Sequence, residues 1–375
     1  MIAATFSKLY QINWLLPTMV GLIGLIGVFM IYAATGGEWS HGAQQHFIRL
    51  IIAGGLMLTV ALTDIRIWYG LAYPIYGVSL LLLVGVDVFG VTINGSERWI
   101  DLGPIRLQPS EIMKLGIVMA LARFYHDIPN WRISHISGLV VAMLMVAIPA
   151  QFILRQPDLG TTLLLTATGI AIIFLAGVNW RVIAGGLVMT AVSVPLFFKF
   201  GLKPYQQERI LTLLEPGRDP TGASYHIIQS KIALGSGGVS GKGFMNGTQR
   251  QLAYVPENRT DFIFTVIGEE FGLIGGIATM GLYAGVIALC FWMSIKCKHF
   301  FTRLLIMGIT TTFALYVFIN LAMVTGIAPV VGVPLPLISY GGTVMLTMMF
   351  GFGLILSAYV HRSVELPRSG RGFGL

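Results

Sequence analysis

The chain has 375 residues, of which 55% are hydrophobic and only 11% charged, with a net charge of +8. A soluble domain carries about 25% charged residues, so this composition excludes an ordinary soluble protein and leaves no room for a separate soluble domain. The excess of basic residues has two readings: short loops on the inner side of a membrane, or an anionic substrate or lipid head group.

Apolar runs of spanning length, about 20 residues each, are predicted over 15–35, 46–63, 70–89, 109–124, 135–154, 160–178, 182–200, 261–292, 303–326 and 336–361. The first follows Lys8 and lacks a small-x-small cleavage site, so it reads as a retained span. The third contains Asp87 and the eighth Glu269 and Glu270, acids expected to face protein rather than lipid. Cys290 and Cys297 end the eighth span without metal-ligand spacing and read as structural thiols. The expectation is an all-α, polytopic membrane protein of about ten spans, one domain over 1–375, with one long connection over about 201–260.

Short-loop charges set the orientation. With the amino terminus in the cytoplasm, the inner ends collect Lys8, Arg66, Arg123, Arg132, Arg181, Lys296, Lys298, Arg303, Arg362, Arg368 and Arg371. The outer connections hold only Arg98, Arg106 and Arg155, with Arg49 and Lys114 near span ends. Both termini are then inside, and 201–260 is an extracytoplasmic loop. Within it, Tyr225 to Leu234 has the apolar period of a short amphipathic helix at the membrane interface.

Three outer helix starts each bring an acid. In Arg106-Leu107-Gln108-Pro109-Ser110-Glu111-Ile112-Met113-Lys114, Pro109 and Ser110 suit a helix start, and Glu111 and Lys114 share one face. Such a pair either fixes helix packing or shapes a polar cavity for a head group. Gln156-Pro157-Asp158-Leu159-Gly160 opens the sixth span, where Asp158 can cap the helix or face a site. In Arg259-Thr260-Asp261-Phe262-Ile263-Phe264 the long loop re-enters the membrane, and Asp261 is either a helix cap or a general base at the bilayer rim. The glycine-dense stretch 235–243 is a linker or a backbone cradle for phosphate, with Lys242 adding charge, but it is not a Walker A loop. Near the end, Gly332 to Gly342 contains two prolines and reads as a re-entrant element or a packing turn.

These motifs, with Tyr225 to Ala233 and Gly247-Thr248-Gln249, resemble the SEDS family (shape, elongation, division and sporulation) over nearly the whole chain, and its elongation branch more than its division branch. The resemblance implies a ten-span peptidoglycan glycosyltransferase of the bacterial inner membrane that polymerises lipid II and releases undecaprenyl pyrophosphate. It also implies a class B penicillin-binding protein and other elongation-machinery proteins as partners, and no nucleic acid. The family's essential acid falls on Asp261, its polar pair on Glu111 and Lys114, and a further acid on Asp158. Where the family often has His before the Thr-Asp pair, this chain has Arg259. Arg106, Gln108, Lys231, Lys242 and Ser339 complete the expected cavity or substrate-binding set. No cofactor is expected with certainty, and a divalent cation (Mg or Mn) is a candidate for neutralising pyrophosphate. The competing class is a lipid-precursor flippase or ion-coupled transporter, which intramembrane acids and a broken tenth helix also fit.

Overall fold

The computed structural model describes residues 8–93, 96–101, 106–182, 223–247 and 259–367, with scattered positions between 184 and 211. The expected span over 182–200 and much of the 201–260 loop lie outside the described residues, as do Thr248, Gln249 and the side chain of Asp87.

The chain is mostly helical. In order come α1 (Leu15–Ala34), a π-helical turn (Trp39–Ala43), α2 (Gln44–Leu62) and α3 (Ile65–Phe89), then α4 (Pro109–Asp127), α5 (Asn130–Ile133), α6 (Ile136–Arg155) and α7 (Leu159–Leu175). After the loop come α8 (Ala223–Ser236), α9 (Ile263–Lys296), α10 (Phe300–Val324) and α11 (Gly342–Val360). Seven of these helices, α1, α2, α3, α6, α9, α10 and α11, are long and apolar enough to cross a membrane, and α7 is a shorter apolar helix. The buried Glu111 and Lys114 make α4 polar at its start, yet it has 19 residues and lies among the others as a ninth bundle helix of the described chain.

One element departs from an all-helical reading. Between α3 and α4 lies a small antiparallel sheet, β1 (Val91–Ile93), β2 (Ser96–Asp101) and β3 (Arg106–Leu107), in the order β1-β2-β3. It pairs Ile100 with Leu107 and Asp101 with Arg106, which brings the chain back to the start of α4.

The core runs between α4, α10 and α11, which bury most of their surface among apolar neighbours. Their outer partners are α3 on α4, α2 on α11 and α9 on α10. Apolar side chains gain little from each other over lipid, so close backbone approach carries the packing. Gly353 of α11 illustrates it: a Cβ there would stand 2.7 Å from the Met57 carbonyl oxygen of α2.

Two interruptions of helix position the site. The first is in α9, which reaches 34 residues only through a break at Gly272, with φ 63° and ψ −157°. The broken turn is stitched to the glycine-rich loop. The amides of Lys242 and Gly243 donate to the carbonyls of Glu269 and Glu270, at 3.0 and 2.9 Å. The amides of Leu273 and Ile274 donate to Gly238 and Val239 at 2.9 and 3.1 Å. Irregular backbone at membrane depth is tolerated only where protein satisfies it, and here the loop does so. A Cβ at Gly272 would stand 2.4 Å from the Gly241 nitrogen, so no other residue fits.

The second interruption precedes α11. The expected tenth span, 336–361, begins only at Gly342, because Pro334 to Gly341 is non-helical. Two prolines remove amide donors and clash with a preceding turn. The segment is held by side chains from several helices: His46 Nε2 lies 3.0 Å from the Leu337 carbonyl, and Tyr283 OH donates to Pro336. Asn320 Nδ2 donates to the Val333 carbonyl at 2.7 Å. Leu337 itself has φ 68°, a conformation that costs a non-glycine residue about 1–3 kcal/mol. The segment is therefore a non-helical element held tightly among the helices.

Helix α8 forms where the apolar period predicted it, with one side packed on the bundle and Ile228 and Ile232 exposed on the other. Ile227 and Ala233 are buried, and Ser230 Oγ donates to the Val324 carbonyl at 2.7 Å. Its apolar side packs on α9 and the end of α10.

Candidate functional site

A cavity of about 190 Å³ opens where α4, α7, α9 and the non-helical segment begin or end together. Its wall carries Glu111, Lys114 and Gln108 from the start of α4, Asp158 and Thr161 from the start of α7, and Thr260 and Asp261 from the turn before α9. Tyr316 of α10, Gly332 to Pro334, Tyr340 and Gly341 close it from the other side, and Arg98 and Trp99 of β2 reach over it. Three acids predicted at separate helix starts therefore meet at one site.

Glu111 and Lys114 are buried, 3% and 2% exposed, and in contact. Pro109 in the first turn starts α4 cleanly, and the spacing of three puts both side chains on one face. Lys114 Nζ donates to Glu111 Oε1 at 2.6 Å, and Tyr316 OH donates to Glu111 Oε2 at 2.7 Å. Lys114 also donates to the Tyr316 oxygen and lies 4.5 Å from that ring's centroid. The ammonium is thus committed to its neighbours. Glu111 sits in the first helical turn, where the helix dipole favours a negative charge.

Asp158 does both things the sequence left open. It is the N-cap of α7, accepting from the Thr161 amide at 3.1 Å through Oδ1. Through Oδ2 it meets Arg98 Nη1 at 3.5 Å and Gln108 Nε2 at 3.5 Å.

Helix α9 begins at Ile263, two residues beyond Asp261, with Phe262 at its N-cap position. The backbone around Asp261 is fixed from other elements. Asn320 Nδ2 donates to the Asp261 carbonyl at 2.7 Å, Ser339 Oγ to the Thr260 carbonyl at 2.6 Å, and the Tyr340 amide to the Arg259 carbonyl at 2.8 Å. The Gly332 backbone passes close to the Asp261 carboxylate, and a Cβ there would stand 3.5 Å from Oδ2. A carboxylate on a clamped backbone, half-exposed to a polar cavity, is placed to meet a ligand.

Of the remaining expected residues, one reaches the cavity and the others do not. Gln108 lines the cavity. Arg106 does not line it: its side chain is 63% exposed and 3.7 Å from Asp101 Oδ2, while its carbonyl accepts from Thr343 Oγ1. Lys242 pairs with Glu269 Oε1 at 2.7 Å, beside the break in α9. Lys231 lies over the backbone of Gly326, also away from the cavity wall. Ser339 is buried and structural, accepting from the Leu335 amide at 2.8 Å as it donates to Thr260.

Arg98 is the residue the sequence reading passed over. It is held on the strand β2 and also donates to the carbonyls of Gln156, at 3.0 Å, and Pro157. It fastens the sheet over the start of α7 and, with Lys114, is one of two cations on the cavity wall among the described residues. The signal was available in Asn94-Gly95, a strong hairpin dipeptide between two spans.

A helical bundle with spans that break at one membrane face and pool acids in a half-open polar pocket there defines a polytopic membrane protein with a rim-facing active-site-like cavity. Comparison with known proteins makes this specific. Residues 8–364 match the family model described as "Cell cycle protein", which groups FtsW, RodA and SpoVE. The chain is 42% identical over 354 residues to peptidoglycan glycosyltransferase MrdB of Escherichia coli K12, covering 93% of this chain and 94% of that protein. It is 35% identical over 362 residues to the probable peptidoglycan glycosyltransferase FtsW of Trichlorobacter lovleyi, covering 93% of each. Among solved structures, it resembles a chain of a peptidoglycan synthase complex that coordinates polymerization and crosslinking, with TM-score 0.79, 32% identity, and coverage of 94% of this chain and 99% of that one. RodA of Thermus thermophilus follows at TM-score 0.72 and 28% identity, covering 94% and 98%. The chain belongs to the FtsW/RodA/SpoVE family.

Proposed function

We infer that this chain is a peptidoglycan glycosyltransferase of the bacterial inner membrane, serving cell-wall elongation and rod shape. It polymerises lipid II into glycan strands. Family membership and the likeness to MrdB support the activity. The observation that carries the mechanism is the placement of Asp261 on a clamped backbone in a cavity that also holds Glu111, Lys114 and Asp158.

In this reading the donor's isoprenoid tail lies along the spans and its pyrophosphate enters the cavity. Asp261 takes the proton from the acceptor sugar hydroxyl. That oxygen bonds to the donor's anomeric carbon as the bond to undecaprenyl pyrophosphate breaks. A single displacement inverts the anomeric carbon and needs one base, unlike hydrolysis with two carboxyl groups. The leaving group is already a weak base and needs charge neutralisation instead. Arg98 supplies it: held by Asp158 and the Gln156 and Pro157 carbonyls, its side chain is still 26% exposed at the mouth, whereas the Lys114 side chain is 2% exposed behind Glu111 and Tyr316. Glu111 and Lys114 shape the wall. A divalent cation (Mg or Mn) is a candidate for neutralising the diphosphate alongside Arg98, while Asp158 uses its oxygens on Thr161, Gln108 and Arg98.

We assign both termini to the cytoplasm and the cavity to the outer face, a reading that the basic span ends support. A class B penicillin-binding protein is the partner we assign, set against α9 and α10. The likeness to a synthase complex supports the pairing.

The test is polymerisation of purified lipid II by the detergent-solubilised chain, with and without such a partner. Glycan chains made in detergent cannot come from a flippase or carrier, because no second compartment exists. Wild-type rates from Asp261→Asn would end the general-base assignment.

A further inference from the structure

A second charged cavity lies at the opposite membrane face. It has about 320 Å³ and is walled by His126, Lys298, His299, Phe300 and Arg303, with Glu365 and Leu366 of the carboxyl-terminal segment along one side. His126 is 15 residues beyond Glu111 on α4, about 22 Å along the helix. It therefore cannot share a ligand head group with the Asp261 cavity.

Four elements converge there. The short link Cys297–His299 between α9 and α10 presents Lys298 and His299, and the first turn of α10 presents Phe300 and Arg303. The link is fixed rather than loose: the Cys297 amide donates to Ser294 at 3.1 Å, and the His299 carbonyl accepts from Thr302 Oγ1 at 2.8 Å and from the Arg303 amide at 3.1 Å. The carboxyl-terminal segment is anchored by buried Leu366 and by Arg66 Nε, which donates to the Glu365 carbonyl at 3.4 Å. His126, 3% exposed, forms the floor.

The charges are unbalanced. Among the described residues, neither Lys298 nor Arg303 has a carboxylate oxygen within 4.0 Å. Asp127, the nearest acid in sequence to His126, is taken by Arg123 at 3.6 Å and by the Tyr69 hydroxyl. The wall has one carboxylate, Glu365, against two permanent cations and two imidazoles. No side chain caps α10, so the first-turn amides beside Phe300 also present positive partial charge.

We propose that this cavity binds a phosphate group, carried by an anionic phospholipid of the inner leaflet or by a soluble phosphate ester. A basic pocket between spans on the side of the short basic loops is suited to a lipid head group. Its volume accepts a head group, and the surrounding α9 and α10 surfaces would take the acyl chains.

The full chain in detergent is mixed with phosphatidylglycerol or phosphatidylcholine, and retained lipid is counted by native mass spectrometry. Lys298→Gln with Arg303→Gln should lower phosphatidylglycerol retention on the order of tenfold to thirtyfold, at about 1 kcal/mol per cation, and leave phosphatidylcholine unchanged. Arg132→Gln with Arg181→Gln, on the same face but off the cavity, should change little. Both variants alter exposed side chains, and their melting temperatures check folding. A melting temperature raised by inorganic phosphate in wild type but not in the Lys298/Arg303 variant, with lipid retention equal in both, assigns the site to a soluble ester. Equal phosphatidylglycerol retention in both variants, together with no phosphate response, overturns the proposal.

Discussion

Removing Lys114 should destabilise the fold far more than removing Lys114 and Glu111 together. At 2.6 Å the pair attracts by about 6 kcal/mol if the effective dielectric is about 20, an attraction set against the cost of desolvating both groups. Lys114→Met leaves a carboxylate that is 3% exposed facing only the Tyr316 hydroxyl, and breaking a buried pair in this way costs about 3–5 kcal/mol. Lys114→Met with Glu111→Gln removes both charges and keeps the Tyr316 hydrogen bond, so most of that loss should return. The charge-swapped variant, Glu111→Lys with Lys114→Glu, should recover only part, because it places a cation in the first turn of α4 where the helix dipole opposes it. The assay is a double-mutant cycle on unfolding free energy in mixed detergent micelles, run beside lipid II polymerisation. Additive losses, or a cost below about 1 kcal/mol for Lys114→Met, would refute the view that the pair is buried and mutually dependent. Full stability with lost activity in the double variant would assign the pair to substrate contact instead.

Asp261→Asn should lower polymerisation about 10²–10⁴-fold with unchanged melting temperature, measured as glycan formed from lipid II. Arg98→Gln should act on both the leaving group and the sheet, whereas Arg98→Lys keeps charge without the fork and should recover some of kcat but not the melting temperature. Gly272→Ala should cost at least about 1–3 kcal/mol in unfolding free energy, since φ is 63° and the new methyl would meet backbone at 2.4 Å. Burial holds the His361 pKa below its ordinary value at the end of α11, so the folded chain prefers the neutral ring. Its contribution to stability is complete above the ordinary histidine pKa of about 6.5 and is lost as pH falls through the lowered folded value. A stability–pH profile of His361→Gln should be flatter over that range.

Much of this was legible because lipid imposes simple rules. Apolar runs gave the spans, and charged residues at span starts gave Glu111, Asp158 and Asp261, since an acid there must find protein or water. What the sequence left undecided were local choices between near-equal partners. Thr260, Asp261 and Phe262 are all reasonable starts for α9, and the clamps from Asn320, Ser339 and Tyr340 decide the matter from far along the chain. Lys242 looked available for phosphate because its partner, Glu269, is 27 positions away. Arg98 escaped notice for the same reason, with its acceptor 60 positions on at Asp158. The start of α11 was placed too early because apolar residues continue through Pro334 to Tyr340, while the prolines forbid the helix there.

The seam joining residues 238–243 to the broken turn of α9 is built mainly of amides and carbonyls, with one side-chain pair, Lys242 and Glu269, across it. Such a seam is indifferent to what most side chains are and sensitive to how many residues there are. Replacing Ser240 leaves it whole, whereas deleting it puts the bonds at 238 and 239 out of step with those at 242 and 243 and strands polar backbone in an apolar setting. Related chains should therefore tolerate drift in the letters of this stretch far better than any change in its length.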